Sequence, residues 1–218
     1  MAAAGTSGFS TMQERGYFLL LDRLQCTLED KIDLWRDYDD SLANDRVGKK
    51  RRYFLAERLH VAFDVCASLD YLHANQIIYR DLKPDNIGFD RDGVLKVFDF
   101  DVARILPEAT VPDESFLLTK RVGSPRYMSP ECARGEEYNL KADVYSFALL
   151  CHELISLEKP YDDIPSGQHD ESVFFAGVRP IVPNDWPQEV RSLLQRCWSD
   201  DISSRPTMEE THKMLEKE

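Results

Sequence analysis

Two short segments hold side chains whose types and spacing suit one kind of chemistry. Asp81, Lys83 and Asn86 lie in Tyr79-Arg80-Asp81-Leu82-Lys83-Pro84-Asp85-Asn86, and Asp99 opens the triplet Asp99-Phe100-Asp101. Asp81 offers a carboxylate that could accept a hydroxyl proton. Lys83, two residues on, reaches the same side of an extended loop and could offset anionic charge. Asn86 and Asp99 supply hard oxygen atoms of the kind magnesium prefers. Orienting a hydroxyl, neutralising a phosphate and holding a hard cation are the demands of phosphoryl transfer, which asks little covalent chemistry of a protein.

The elements that must position these residues can be read from periodicity. Residues 1–15 are rich in Ala, Gly and Ser and read as a disordered leader. Residues 17–21 form an apolar run of strand length, closed by Asp22-Arg23. Leu28, Ile32 and Trp35 recur at helical spacing, and 36–52 reads as a polar connection. That connection is acidic at Asp37, Asp39 and Asp40 and basic at Lys49-Lys50-Arg51-Arg52. The basic run fits a solvated loop entering a helix, with a nuclear-import patch as the alternative. Leu55, Leu59, Ala62, Cys66, Leu69 and Leu72 then predict an amphipathic helix.

Ile77-Ile78-Tyr79 is too short for a helix, and Asp90-Arg91-Asp92-Gly93 between two apolar runs predicts a hairpin over 87–98. Residues 99–129 carry Pro107, Pro112 and Pro125 and read as a long functional loop. Residues 142–156 are apolar on nearly every face, as a helix in the middle of a core would be. Pro187 opens a further helix, and Thr207 with Glu210 forms a capping box for the last.

A chain of 218 residues can build one sizeable core, and its net charge of −12 argues against a nucleic-acid partner. No run approaches the ~20 apolar residues of a membrane span, so no membrane partner is expected. The five scattered cysteines fit reduced thiols in a cytoplasmic protein, with the nucleus as the alternative. His152-Glu153 lies in an apolar stretch and reads as structural rather than as a zinc site.

The first segment resembles the protein-kinase catalytic loop H-R-D-L-K-x-x-N, with Tyr79 in first place. The triplet at Asp99 resembles D-F-G, and Ser129-Pro130-Glu131 resembles A-P-E. Gly123-Ser124-Pro125-Arg126-Tyr127-Met128, Asp143-Val144-Tyr145-Ser146-Phe147 and Arg205-Pro206-Thr207 continue the match in family order. The resemblance is to the eukaryotic-type serine/threonine protein kinases. It implies a protein-kinase-like fold: a mainly α C-terminal lobe with a small β-hairpin and one remnant N-lobe strand, over 16–218.

By that resemblance Asp81 is the catalytic base, Lys83 contacts the phosphate, and Asn86 and Asp99 hold Mg2+. Leu21, Asp22, Leu24 and Gly88 belong to the ATP site, with Leu21 as gatekeeper. Asp143 pins the catalytic loop, and Glu131 pairs with Arg205. ATP and a protein substrate are the implied partners. An upstream activating kinase is a third, because an arginine such as Arg80 commonly receives an activation-segment phosphate. Thr119, followed by Lys120-Arg121, is the expected acceptor, ahead of Thr110, Ser115 and Ser124.

Several positions depart from the family pattern. No G-x-G-x-x-G and no V-A-I-K lysine precede Tyr17, which predicts a truncated catalytic domain with little transfer by this chain alone. Asp101 replaces the glycine of the triplet, and Gly88 stands where the family places an apolar floor for adenine. The alternatives are a pseudokinase or scaffold acting by binding, and a different ATP-dependent phosphotransferase sharing only the loop.

Overall fold

The computed structural model describes residues 3–5, 18–20, 22–41, 49–108, 111 and 113–216. β1 (Ala3–Gly5) pairs antiparallel with β2 (Phe18–Leu20). The strand expected over 17–21 is therefore present at 18–20, while Tyr17 and Leu21 lie outside the described residues.

β3 (Leu24–Thr27) has no counterpart in the sequence reading. Its partner is more than sixty residues away: Leu24 faces Asp90, Cys26 faces Phe89 and Thr27 faces Gly88, with a bulge between Leu24 and Cys26. Thr27 then starts α1 (Leu28–Ser41) by reciprocal capping. Its Oγ1 accepts from the Asp30 amide at 3.2 Å, and the Asp30 carboxylate accepts from the Thr27 amide at 2.8 Å. Leu28, Ile32 and Trp35 are buried, as their spacing requires.

In the polar connection expected at 36–52, the described residues, 36–41 and 49–52, are helical. α1 continues past Arg36, which bonds Asp33 one turn back at 2.7 Å and the Leu157 carbonyl at 2.6 Å. α2 (Lys49–Ala74) begins inside the basic run. Its buried face carries Val61, Ala62, Val65, Cys66, Leu69 and Leu72, whereas Leu59 is 36% exposed. Arg58 takes the inward place, bonding the carbonyls of Phe54 and Ile155.

β4 (Ile77–Ile78) pairs with a two-residue strand over Arg104–Ile105. This short ladder closes the segment that contains Asp81, Lys83, Asn86 and Asp99. Within it a 3-10 turn (Pro84–Asn86) leads into β5 (Ile87–Asp90), which forms the expected hairpin with β6 (Leu95–Val97). The turn is held by Asp90 Oδ1, which accepts from the amides of Asp92 and Val94 at 2.9 Å each. The three-stranded sheet has the order β3-β5-β6, and β7 is the strand Arg104–Ile105.

Beyond the long loop, α3 (Pro130–Arg134) opens on Pro130 and ends at Gly135 in the left-handed conformation. α4 (Lys141–Ser156) is buried from Lys141 to Leu154 and forms the centre of the core. α2 packs along it and against α6 (Met208–Leu215), with α5 (Gln188–Cys197) on α4 as well. The capping box of Thr207 and Glu210 is complete, with both reciprocal bonds present. The architecture is a mainly α lobe bearing small β ladders, as expected.

Candidate active site

The residues around Asp81 converge on its carboxylate. Oδ1 accepts from the Ser124 amide and hydroxyl, both at 2.8 Å. Oδ2 accepts from Asn86 Nδ2 at 2.8 Å and pairs with Lys83 Nζ at 3.0 Å. Lys83 Nζ also donates to Ser124 Oγ at 3.0 Å. The serine hydroxyl thus sits between a carboxylate and an ammonium, donating to one and accepting from the other.

The loop is fixed from behind by Asp143, which is buried at the start of α4. Its Oδ2 accepts from the Tyr79 amide at 2.7 Å and bonds His73 Nε2 at 2.9 Å, and its Oδ1 accepts from the Arg80 amide at 2.8 Å. Two backbone amides that would otherwise be orphaned in the core are satisfied by one carboxylate. Arg80 adopts φ +69°, in the left-handed region. Gly123 closes the site from the activation segment at φ +89°. A Cβ there would fall 2.2 Å from the Arg80 carbonyl oxygen, so no larger residue fits.

Asn86 and Asp99 are linked through Phe98. The Phe98 amide donates to the Asn86 carbonyl at 3.1 Å, and the Tyr79 hydroxyl donates to the Phe98 carbonyl. Burial, with the carboxylates of Asp81 and Asp99 nearby, raises the Tyr79 phenol above its ordinary range, which keeps it a neutral donor. The Phe100 ring meets Tyr79 edge-on at 5.3 Å. Asp99 itself is exposed at φ +60°, a conformation that a short polar side chain tolerates. Asp101, in the place of the family's glycine, is exposed and outside the left-handed region, so the site does not need a glycine there.

Of the residues expected to meet ATP, Leu21 lies outside the described residues. Asp22 is exposed and its carboxylate pairs with Lys96 at 3.2 Å. Leu24 and Gly88 meet across β3 and β5: a Cβ on Gly88 would fall 2.6 Å from Leu24 Cδ1 and 3.2 Å from the Phe98 ring. The Leu24 side chain therefore covers the surface that Gly88 leaves bare.

The activation segment is anchored twice more. Arg205 and Glu131 form a buried two-pronged pair, with bonds of 2.7 and 2.9 Å. The Tyr127 hydroxyl donates to Glu153 Oε2 at 2.5 Å, and Arg36 reaches Glu153 Oε1 at 3.3 Å. Burial pushes the Glu153 carboxyl up to about 7. Its neighbour His152 spends Nε2 on the Ile181 carbonyl at 3.0 Å, a structural role. Arg80 donates to the Val102 carbonyl and to the Tyr138 hydroxyl, which in turn donates to the Thr119 carbonyl at 2.7 Å. Thr119 is exposed, and Thr110 lies outside the described residues.

Sequence reasoning missed His73 and the Tyr127–Glu153–Arg36 cluster. The one available signal was Glu153 itself, a carboxylate inside an apolar helix that needs a buried partner.

The pattern agrees with known proteins. The protein kinase domain family matches residues 26–215. Serine/threonine-protein kinase STY17 of Arabidopsis thaliana is 39% identical over 72% of this chain and 26% of its own length. STY46 of the same plant is 34% identical over 79% of this chain and 29% of its own. Dual specificity protein kinase shkB of Dictyostelium discoideum is 37% identical over 70% of this chain and 23% of its own. The chain thus spans under a third of the length of these relatives. With its motifs in family order and matched along most of its length, the chain belongs to the protein kinase family.

Proposed function

We propose that this chain supplies the lower lobe of a serine/threonine protein kinase, which transfers the γ-phosphate of ATP to Ser or Thr hydroxyls of protein substrates. The observation behind this reading is the Ser124 hydroxyl held between Asp81 and Lys83. A substrate hydroxyl taking an equivalent place gives its proton to Asp81 as its oxygen bonds the γ-phosphorus and the bond to ADP breaks. Lys83 offsets charge on the transferring phosphoryl group. Asp143 keeps the loop from relaxing during this step, since it holds the consecutive amides of Tyr79 and Arg80.

The donors at Asn86 and Asp99 fit magnesium. Asn86 turns its amide nitrogen to Asp81, leaving its oxygen for a cation, and Asp99 presents an exposed carboxylate. Two hard protein oxygens, completed by phosphates and water, suit Mg2+ better than a full protein cage would. Bound there, the ion would neutralise phosphate charge. Asp22, Leu24 and Gly88, with Leu21, form the surface proposed to meet adenine.

A binding-only role as a pseudokinase or scaffold has one observation in its favour: both oxygens of Asp81 are already occupied by protein donors. Incubating the full-length protein with γ-labelled ATP, magnesium and a peptide library of Ser, Thr and Tyr acceptors separates the readings. Phosphoserine and phosphothreonine are expected. ATP binding without any transfer would favour the scaffold, and phosphotyrosine alone would overturn the specificity. The proposed setting is cytoplasmic, and no described helix is long and apolar enough to cross a membrane.

A further inference from the structure

The outer limb of the activation segment is clamped to the approach of α4 by side chains that the chemistry around Asp81 does not use. Lys141, the first residue of α4, is buried. Its ammonium pairs with Asp113 Oδ1 at 2.7 Å and donates to the Ser203 carbonyl at 3.3 Å. A buried ammonium needs a counter-charge, and among the described residues the carboxylate paired with it is that of Asp113. Asn139, also buried, spends its whole side-chain amide at the same place. Its Nδ2 donates to the Asp113 carbonyl at 3.0 Å and to Ser115 Oγ at 3.3 Å, while its Oδ1 accepts from the Lys141 amide at 2.9 Å. Asp113 meets these partners at φ +57°, in the left-handed region that short polar side chains tolerate.

Beside the clamp, Phe116 and Tyr138 exchange two backbone bonds, of 2.9 and 3.1 Å. The Tyr138 hydroxyl then accepts from Arg80 and donates to the Thr119 carbonyl. Further along, the Ser124 amide and hydroxyl bond Asp81. The stretch 116–124 is thus held at one end by Asp81 and at the other by the clamp of Asp113, Asn139 and Lys141. Releasing either end returns conformational freedom to the stretch between them.

We propose that Asp113 is a positioning residue for the phosphoryl transfer: its carboxylate, held by Lys141, places the stretch 116–124 against the catalytic loop for the incoming peptide. Asp113 acts through the Phe116–Tyr138 ladder rather than by contact with Asp81. The kinetic consequence rests on the kinase reading above, whereas the ordering of the segment rests on the clamp alone.

Asp113→Asn keeps a side chain suited to φ +57° and removes the charge. In the full-length protein, hydrogen exchange over 113–121, read by mass spectrometry, should rise about tenfold while α2 and α5 keep their protection. Tenfold is about the difference between a charged and a neutral hydrogen bond. KM for a serine peptide should rise by about the same factor, with KM for ATP unchanged. Adding Lys141→Met removes the ammonium left without its counter-charge, so the double variant should recover most of the lost melting temperature. It should recover neither the exchange protection nor the peptide KM, because the bond itself is gone; a purely structural pair would recover all three. The proposal is overturned by unchanged exchange in Asp113→Asn, by an equal rise across the whole lobe, or by wild-type exchange in the double variant. An unchanged peptide KM in an active enzyme would overturn it as well. A full-length protein that transfers no phosphate would instead sink the kinase reading, and the exchange measurements would still decide whether Asp113 places the segment.

Discussion

Arg205 holds Glu131 across 74 residues of sequence with two parallel hydrogen bonds, and neither side chain reaches solvent. The guanidinium also bonds the carbonyls of Ser199 and Lys141, so four of its five N–H donors are used. Arg205→Leu leaves the Glu131 carboxylate buried without its cation and should destabilise the fold by about 3–5 kcal/mol. Replacing both residues by apolar ones should cost less than that single change. Urea unfolding of the two variants against the wild type measures this; a loss under about 1 kcal/mol for Arg205→Leu would show that the pair is not what ties the segment down.

Gly123 is the second constraint on the activation segment. Gly123→Ala places a methyl against the Arg80 carbonyl in a left-handed backbone, a strain of about 1–3 kcal/mol. The expected relief is a shift of 123–124 away from Asp81, which breaks both Ser124 bonds. The full-length variant should remain folded but lose most of its peptide phosphorylation. Unchanged turnover would mean that the close approach is not needed for catalysis.

Much of this framework is legible in the sequence where the signal is local. The Asp90–Gly93 turn, the Thr207–Glu210 box and the all-round apolar helix α4 each carry their own chemistry, and each forms as expected. β3 was not legible because its ladder is made with residues 88–90, far along the chain, and four residues of mixed polarity show no period. The second half of α1 was not legible because it is polar, and Arg36 is held there by Leu157 and Glu153, partners more than a hundred residues away. Around the site, residue types singled out Asp81, Lys83, Asn86 and Asp99, of which the first three meet directly in the structure. The support from His73 and from Leu24 over Gly88 depends on packing that no motif records.

Glu153 predicts a particular pH dependence. Its carboxyl is raised from 4.5 to about 7, with burial the largest cause, while the Tyr127 hydroxyl and Arg36 act in the opposite direction and Glu29 adds to the rise. The folded state therefore holds this proton more tightly than the unfolded chain does. Its contribution to stability is fully present below pH 4.5 and is lost as pH rises through about 7. Relative to Glu153→Gln, the wild type should lose up to about 3 kcal/mol across that window. Parallel stability-versus-pH curves for the two proteins would show that Glu153 does not titrate there.

Thr119 and Arg80 are joined through the Tyr138 hydroxyl, which accepts from Arg80 Nη1 at 3.2 Å and donates to the Thr119 carbonyl. A phosphate on exposed Thr119 adds about −1.5 to −2 charges within reach of an existing arginine network. Thr119→Ala and Arg80→Ala in the full-length protein should then lower activity by similar amounts, without adding in the double variant. Full activity in a Thr119→Ala enzyme shown by mass spectrometry to be unphosphorylated would rule out this switch.

Asp81 is the residue on which the proposed chemistry turns. Asp81→Asn keeps the shape, and its amide oxygen can still accept from Ser124, but its NH2 cannot accept from Asn86 or Lys83 and it cannot take the hydroxyl proton. The most direct measurement is phosphate transfer to a serine peptide by full-length Asp81→Asn at saturating ATP and magnesium, with nucleotide affinity and melting temperature measured alongside. Transfer should fall by a factor of about 100 or more while the fold and nucleotide binding persist. Turnover near the wild-type rate in that variant would contradict the assignment of Asp81 as the base.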